Sequence, residues 1–201
     1  MNEQVNIPKT GVFNGISMPT KWNGTSFRSR LEARWAIFFD TMRPKIPYVY
    51  EPELIATPWG PYLPDFWLPT LRTFFIVKPD PINIEEEQKA FWIGEQGFGV
   101  FIAEGPIPKT FDMTKGWSID FVGEERYRPR DAGQYIYTGS GSNWDSPVTF
   151  CQCNKCGIVG IQFSGFATRL CECYEVRNYG RHDLFARALD NARNHRFDKY
   201  D

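Results

Sequence analysis

Apolar positions after Ser29 recur at Leu31, Trp35, Phe38 and Met42. That spacing lines one face of a helix and leaves Arg28, Arg30, Arg34 and Asp40 at its margins. Pro44 and Pro47 end this helix and favour extended backbone before them, after which Tyr48, Val49 and Tyr50 read as a strand. Gly60-Pro61 marks a turn, and Tyr62 to Leu68 resumes strand character up to Pro69. Thr73 to Lys78 is an almost unbroken apolar, β-favouring run, the pattern of a strand covered on both faces. Alternation sets Phe74, Ile76 and Lys78 on one of its faces and Phe75 and Val77 on the other.

Elsewhere the pattern is more broken. Residues 1 to 24 mix Gly, Asn, Pro and Thr with isolated apolar anchors (Val12, Phe13, Ile16, Trp22) and predict an irregular arm. Asn83 followed by Glu86 is a capping box that opens a helix through Trp92, ending near Gly94 to Gly97, and Gly99 to Ala103 is a further buried strand. The order of helix, strands, helix and strand predicts an α/β fold with a mixed central sheet flanked by helices. Weaker strand patterns cover Trp117 to Val122 and Gln134 to Thr138, and Gly139 to Ser146 is a turn-rich linker. From Asp183 to Phe197 helical spacing returns in Leu184, Phe185, Ala188, Leu189 and Ala192, with Arg187, Arg193 and Arg196 on the polar side. The expected division is a main domain at 1–146 and a smaller module with a C-terminal helix at 147–201.

Composition narrows the class. The 201 residues include seven Trp, nine Tyr and seventeen Phe, enough to bury a substantial core, and the formal net charge of −1 excludes a global basic field. Nucleic-acid contact would then depend on local patches: Arg28, Arg30 and Arg34 around the first helix, and Arg126, Arg128 and Arg130 further on. No apolar run is long enough to span a bilayer, and the first ten residues lack the apolar segment of a signal peptide, so the expectation is a cytoplasmic protein without a membrane partner.

All five cysteines fall between positions 151 and 173. Without a secretory signal, such clustering points to metal ligation rather than disulfides. Cys153-Asn-Lys-Cys156-Gly157 is the turn by which two thiolates reach one zinc ion, and Cys171 with Cys173 would complete a tetrahedral four-sulfur site. Cys151 is then spare or an alternative ligand, and His182 a remote substitute. Such a closed shell is structural. Buried free thiols are the plainer alternative.

Three polar residues stand out on otherwise apolar elements: Glu32 on the first helix, Asp65 after Pro64, and Lys78 at the end of its strand. Each has a plainer role. Ser29 and Glu32 form an S-x-x-E capping box, Asp65 could be a turn acid, and Lys78 could terminate a strand. Together and in this order they resemble the PD-(D/E)XK, or restriction-endonuclease-like, nuclease superfamily, and in particular phage and actinobacterial members with a cysteine cluster and a C-terminal helix. The pattern there is a helix Glu, a Pro-Asp pair at a strand end, and then an acid, one residue and Lys on the next strand. Ile76 holds the position of that last acid.

The resemblance implies metal-dependent phosphodiester hydrolysis acting on DNA. It assigns Mg²⁺ or Mn²⁺ to Asp65, the carbonyl of Val77 and Glu32, and gives Lys78 the role of orienting water or stabilising developing charge. Hard cations of this kind take oxygen ligands and polarise a phosphate. Without the acid at Ile76 the site is weakened, unless Glu51, Asp80 or Glu86 supplies a relocated carboxylate. The alternative is a non-catalytic protein of the same fold that binds DNA or a protein partner.

Overall fold

The computed structural model describes residues 18–80, 82–109, 120–121, 148–153, 155–163, 177–179 and 183–197. A hairpin of β1 (Thr20–Trp22) and β2 (Thr25–Phe27) leads into α1 (Arg30–Thr41). There follow β3 (Val49–Tyr50), β4 (Phe66–Leu68), a 3₁₀ turn (Pro69–Leu71), β5 (Thr73–Lys78), α2 (Ile84–Glu95), β6 (Gly99–Glu104) and β7 (Asp120–Phe121). Strands β8 (Val148–Cys153), β9 (Val159–Phe163) and β10 (Arg177–Tyr179) form a separate small sheet, and α3 (Asp183–Asn194) follows.

The central sheet has the order β3-β4-β5-β6-β7. β5 and β6 run parallel, and every other neighbouring pair is antiparallel. A parallel pair needs a long crossover, and α2 supplies it. The two faces follow the alternation in the sequence. Phe66, Leu68, Phe75, Val77, Phe101 and Ala103 join a core with α1 and α3. Phe74, Ile76, Val100 and Ile102 pack against Ala90 and Ile93 of α2 and against Tyr62. Burying each such side chain is worth about 1.5–3 kcal/mol, so β5, covered on both faces, anchors the sheet.

Helix α1 is buried over a wider sector than its apolar stripe predicts: Ala33, Ala36, Ile37 and Phe39 are as enclosed as Trp35, Phe38 and Met42. The hairpin, the sheet and α3 each cover a different side of it. Trp22 Nε1 donates to Asp40 Oδ2 at 2.8 Å, and Arg34 Nη1 donates to the carbonyls of Ala192 and Arg193 at the end of α3. Phe150 of β8 and Phe185, Ala188, Leu189 and Ala192 of α3 belong to the same buried cluster as α1. The C-terminal segments thus help build the main core.

Two sequence-based expectations need correction. Residues 20–27 form a hairpin rather than an irregular arm, turned by Asn23 (φ 48°) and Gly24 (φ 81°). An Asn-Gly pair with both residues left-handed matches the twist of the flanking strands. The strand expected over Tyr62 to Leu68 is also shorter. Tyr62 makes an isolated bridge with Ile55, and the ladder begins only at Phe66. Pro64, which has no N–H to donate, interrupts it. Gln134 to Thr138 and the linker Gly139 to Ser146 lie outside the described residues, and of Trp117 to Val122 the described part is β7.

Candidate active site

Asp65 enters from the start of β4, next to the end of β5, and is 7% exposed. Its Oδ2 accepts the backbone N–H of Val77 at 2.7 Å, and its Oδ1 accepts Nη2 of Arg28 at 2.9 Å. The N–H and C=O of one strand residue leave on the same side, so the Val77 carbonyl also points toward Asp65. Burial is the main reason that the Asp65 carboxyl is pushed up to about 6. The Val77 hydrogen bond opposes the shift, nearby Glu32 adds to it, and Arg28 and Lys78 oppose it.

Glu32 reaches this place from the N-terminus of α1. One half of the capping box forms, with Ser29 Oγ accepting the N–H of Glu32 at 3.1 Å. The Glu32 carboxylate accepts from Ser29 Oγ (2.7 Å), the backbone N–H of Arg28 (3.2 Å) and the hydroxyl of Tyr50. Glu32 is therefore both a cap and a member of the acidic cluster. Burial first, then the Glu32 hydrogen bond, holds the Tyr50 hydroxyl well above its ordinary range.

Arg28, just outside the helix, ties the cluster together. Its Nε meets Glu51 Oε1 at 2.5 Å while Nη2 holds Asp65. Partial burial disfavours its charge. The hydrogen bond with Tyr50 and the carboxylates of Asp65, Glu51 and Glu32 outweigh that and raise its pKa. Glu51 takes a left-handed backbone (φ 45°), which costs a non-glycine residue about 1–2 kcal/mol, and its N–H is bonded to the Asp65 carbonyl at 2.8 Å. A strained residue held against the site's central acid fits a functional position. The sequence marks Arg28 and Glu51 as candidates, as a DNA contact and a relocated acid, but not their pairing or the part played by Tyr50.

Lys78 ends β5 on the α2 side, and its Nζ contacts Glu86 Oε1. Glu86 is fixed by the predicted cap: its N–H donates to Asn83 Oδ1 at 3.0 Å. Tyr62 is buried on the same face of the sheet; burial first, then the charges of Asp65 and Glu86, drives its hydroxyl pKa upward. Ile76 does not line an open cleft. It is 1% exposed, packed among Tyr62, Ala90 and Ile93, whereas α1 covers the opposite face. Glu32, Asp65, Arg28 and Glu51 gather at the end of β5, and Lys78 forms its own pair with Glu86 on the α2 side.

Of the candidate DNA-contacting arginines, Arg28 and Arg30 are exposed at the entrance to α1. Arg34 instead caps α3, lies over the ring of Phe197 at 5.4 Å, and has its pKa lowered by burial and then by Arg30. Arg126, Arg128, Arg130, Cys171, Cys173 and His182 lie outside the described residues. The Cys153 turn is formed: the N–H of Gly157 donates to the Cys153 carbonyl at 3.0 Å, and Gly157 is left-handed (φ 74°). Cys156 is exposed, and Cys151 and Cys153 are buried.

Among the described residues, no three His, Cys, Asp or Glu side chains form a metal-holding group. A hydrated Mg²⁺ requires fewer protein ligands, because one or two carboxylates with water and substrate phosphates suffice. Asp65 and the Val77 carbonyl, on one side of β5, fit that demand. No helix of the described residues is long and apolar enough to cross a membrane. Comparison of the chain with models of protein families, with curated proteins and with solved structures gave no match.

Proposed function

We propose that this chain is a metal-dependent nuclease acting on DNA, with Asp65, Lys78 and Glu86 at its centre and Glu86 replacing the acid absent at Ile76. The observation that carries this reading is the contact between Lys78 Nζ and Glu86 Oε1. It sets a carboxylate from α2 beside the lysine that ends β5. The order of elements supports it too, since Pro64-Asp65 leads into one strand and Lys78 ends its neighbour, as the PD-(D/E)XK resemblance implies.

Asp65 and the Val77 carbonyl would hold Mg²⁺ or Mn²⁺. A cation there supplies polarisation of the phosphate and acidification of the attacking water. Lys78, paired with Glu86, stabilises the charge that develops on the phosphate. Glu32 fixes Tyr50 and the backbone of Arg28, and so positions the cluster. Arg28 and Arg30 offer guanidinium groups to the DNA backbone. A zinc ion on Cys153, Cys156, Cys171 and Cys173 would brace the β8–β9 turn.

The second reading is a protein of the same fold that binds DNA or a protein partner without cutting. It is favoured by one observation: the oxygens of both Asp65 and Glu32 are already taken by protein donors. A Mn²⁺-dependent DNA cleavage assay separates the two. Cleavage by the natural chain, reduced on the order of 100-fold or more in Asp65→Asn, Lys78→Ala and Glu86→Gln, supports the nuclease. Binding without cleavage supports the second reading, and cleavage that survives Asp65→Asn rejects the site.

A further inference from the structure

Arg28 lies where the cation of the proposed reaction would be needed. Its guanidinium bridges Glu51 and Asp65, so Asp65 Oδ1 is covered on the side that Val77 does not occupy. One guanidinium faces three carboxylates, those of Asp65, Glu51 and Glu32. The two ends of Arg28 are held differently. Its backbone N–H is fixed by Tyr50 Oη at 2.9 Å and Glu32 Oε2 at 3.2 Å, whereas its side chain, held by Glu51, Asp65 and Tyr50, is 54% exposed to solvent. The side chain can therefore swing outward while the backbone stays anchored to the helix start.

We propose that Arg28 is a substrate-operated gate on cation binding. Without nucleic acid, its guanidinium bridges Asp65 and Glu51 and excludes a divalent ion. A phosphodiester presents two oxygens to the same planar fork, and guanidinium pairs with phosphate as well as it does with carboxylate. Drawn to the phosphate, Arg28 leaves Asp65 and Glu51 uncovered, and the cation enters beside the bond to be cut. Lysine could not do this equally, because a point charge cannot bridge both carboxylates and then clasp a phosphate with the same geometry. DNA and metal then bind with positive coupling, and by linkage each tightens the other by the same factor.

This gate rests on the metal-dependent reading above, and one titration separates their failures. Free Mn²⁺ is followed by its EPR signal as the full chain is added, with and without a phosphorothioate-linked DNA duplex that resists cleavage. The natural chain is expected to bind Mn²⁺ weakly alone and about tenfold more tightly with DNA, within the usual range of such couplings. Arg28→Gln is expected to bind tightly without DNA and to gain little from it. Arg28→Lys, which keeps the charge and loses the fork, should also bind more tightly than the natural chain. If Mn²⁺ binding requires Asp65 but neither Arg28 variant binds more tightly than the natural chain, the gate is overturned while the metal site stands. If DNA leaves the Mn²⁺ affinity of the natural chain unchanged, the gate is likewise overturned. If no form binds Mn²⁺, or Asp65→Asn binds as well as the natural chain, both ideas fail.

Discussion

Val77 gives its backbone N–H to Asp65 Oδ2 at 2.7 Å, so on the side where the ladder with β4 has stopped the end of β5 is sealed by a carboxylate. An amide oxygen can accept that bond as well, whereas the charge of Asp65 is held there at a cost.

The cost has a pH signature. The folded value of about 6 lies above the ordinary 3.8, so as pH rises the unfolded chain releases this proton first. The stability from Asp65 is full at low pH and is lost between about pH 4 and pH 6, with a total change of about 3 kcal/mol. Asp65→Asn should remove this slope. Urea unfolding at pH 4.5 and 7.5 should show the variant at least as stable as the natural chain at the higher pH, although Arg28 loses a partner.

Ile76→Glu restores the acid of the PD-(D/E)XK pattern in sequence only. Position 76 is enclosed by Tyr62, Ala90 and Ile93, so the new carboxylate would be buried in a largely apolar setting. A loss of about 3 to 5 kcal/mol is expected, with no gain in cleavage. Ile76→Val should cost only about 1 kcal/mol. Denaturant midpoints of the two variants, beside a cleavage assay, provide the check.

Gly99 is required for space rather than for an unusual backbone. A Cβ there would lie 2.4 Å from Thr73 Oγ1 at the first rung of the parallel β5–β6 ladder. Gly99→Ala should lose about 1–3 kcal/mol through overpacking. Adding Thr73→Ala removes the hydroxyl and should recover part of that loss, which a double-mutant cycle would measure as coupling.

For the cysteine turn, elemental analysis of reduced protein should find close to one zinc per chain. Cys153→Ser or Cys156→Ser should release it and lower thermal stability, since structural zinc contributes folding free energy on the order of 10 kcal/mol in small modules. Protein without metal from a zinc-replete preparation would remove the module from the proposal.

Local features of the fold were legible because short-range physics governs them. Asn83 and Glu86 cap α2 as the spacing demands, and β5 covers Thr73 to Lys78 because its apolar run is buried on both faces. The Asn23-Gly24 turn was legible in principle, although the polar residues around it masked the strands. The contact between Arg28 and Asp65 spans 37 positions, and Glu51 joins it through a left-handed backbone that no pattern of side chains announces. The burial of Ala33 and Ile37 depends on elements far along the chain, so a stripe of Leu31, Trp35, Phe38 and Met42 understates it.

Arg34 joins α1 to the carbonyl of Ala192, 158 positions later. A chain emerging from the ribosome thus makes α1, with Trp35, Phe38 and Phe39, long before the helix that packs against it exists. Closure of this core has to wait until α3 has been made, and a nascent chain stalled before α3 presents an aromatic surface suited to capture by a chaperone or to aggregation. A premature stop after the site residues but before Asp183 would therefore remove the whole protein, even though every residue proposed for the chemistry had been made.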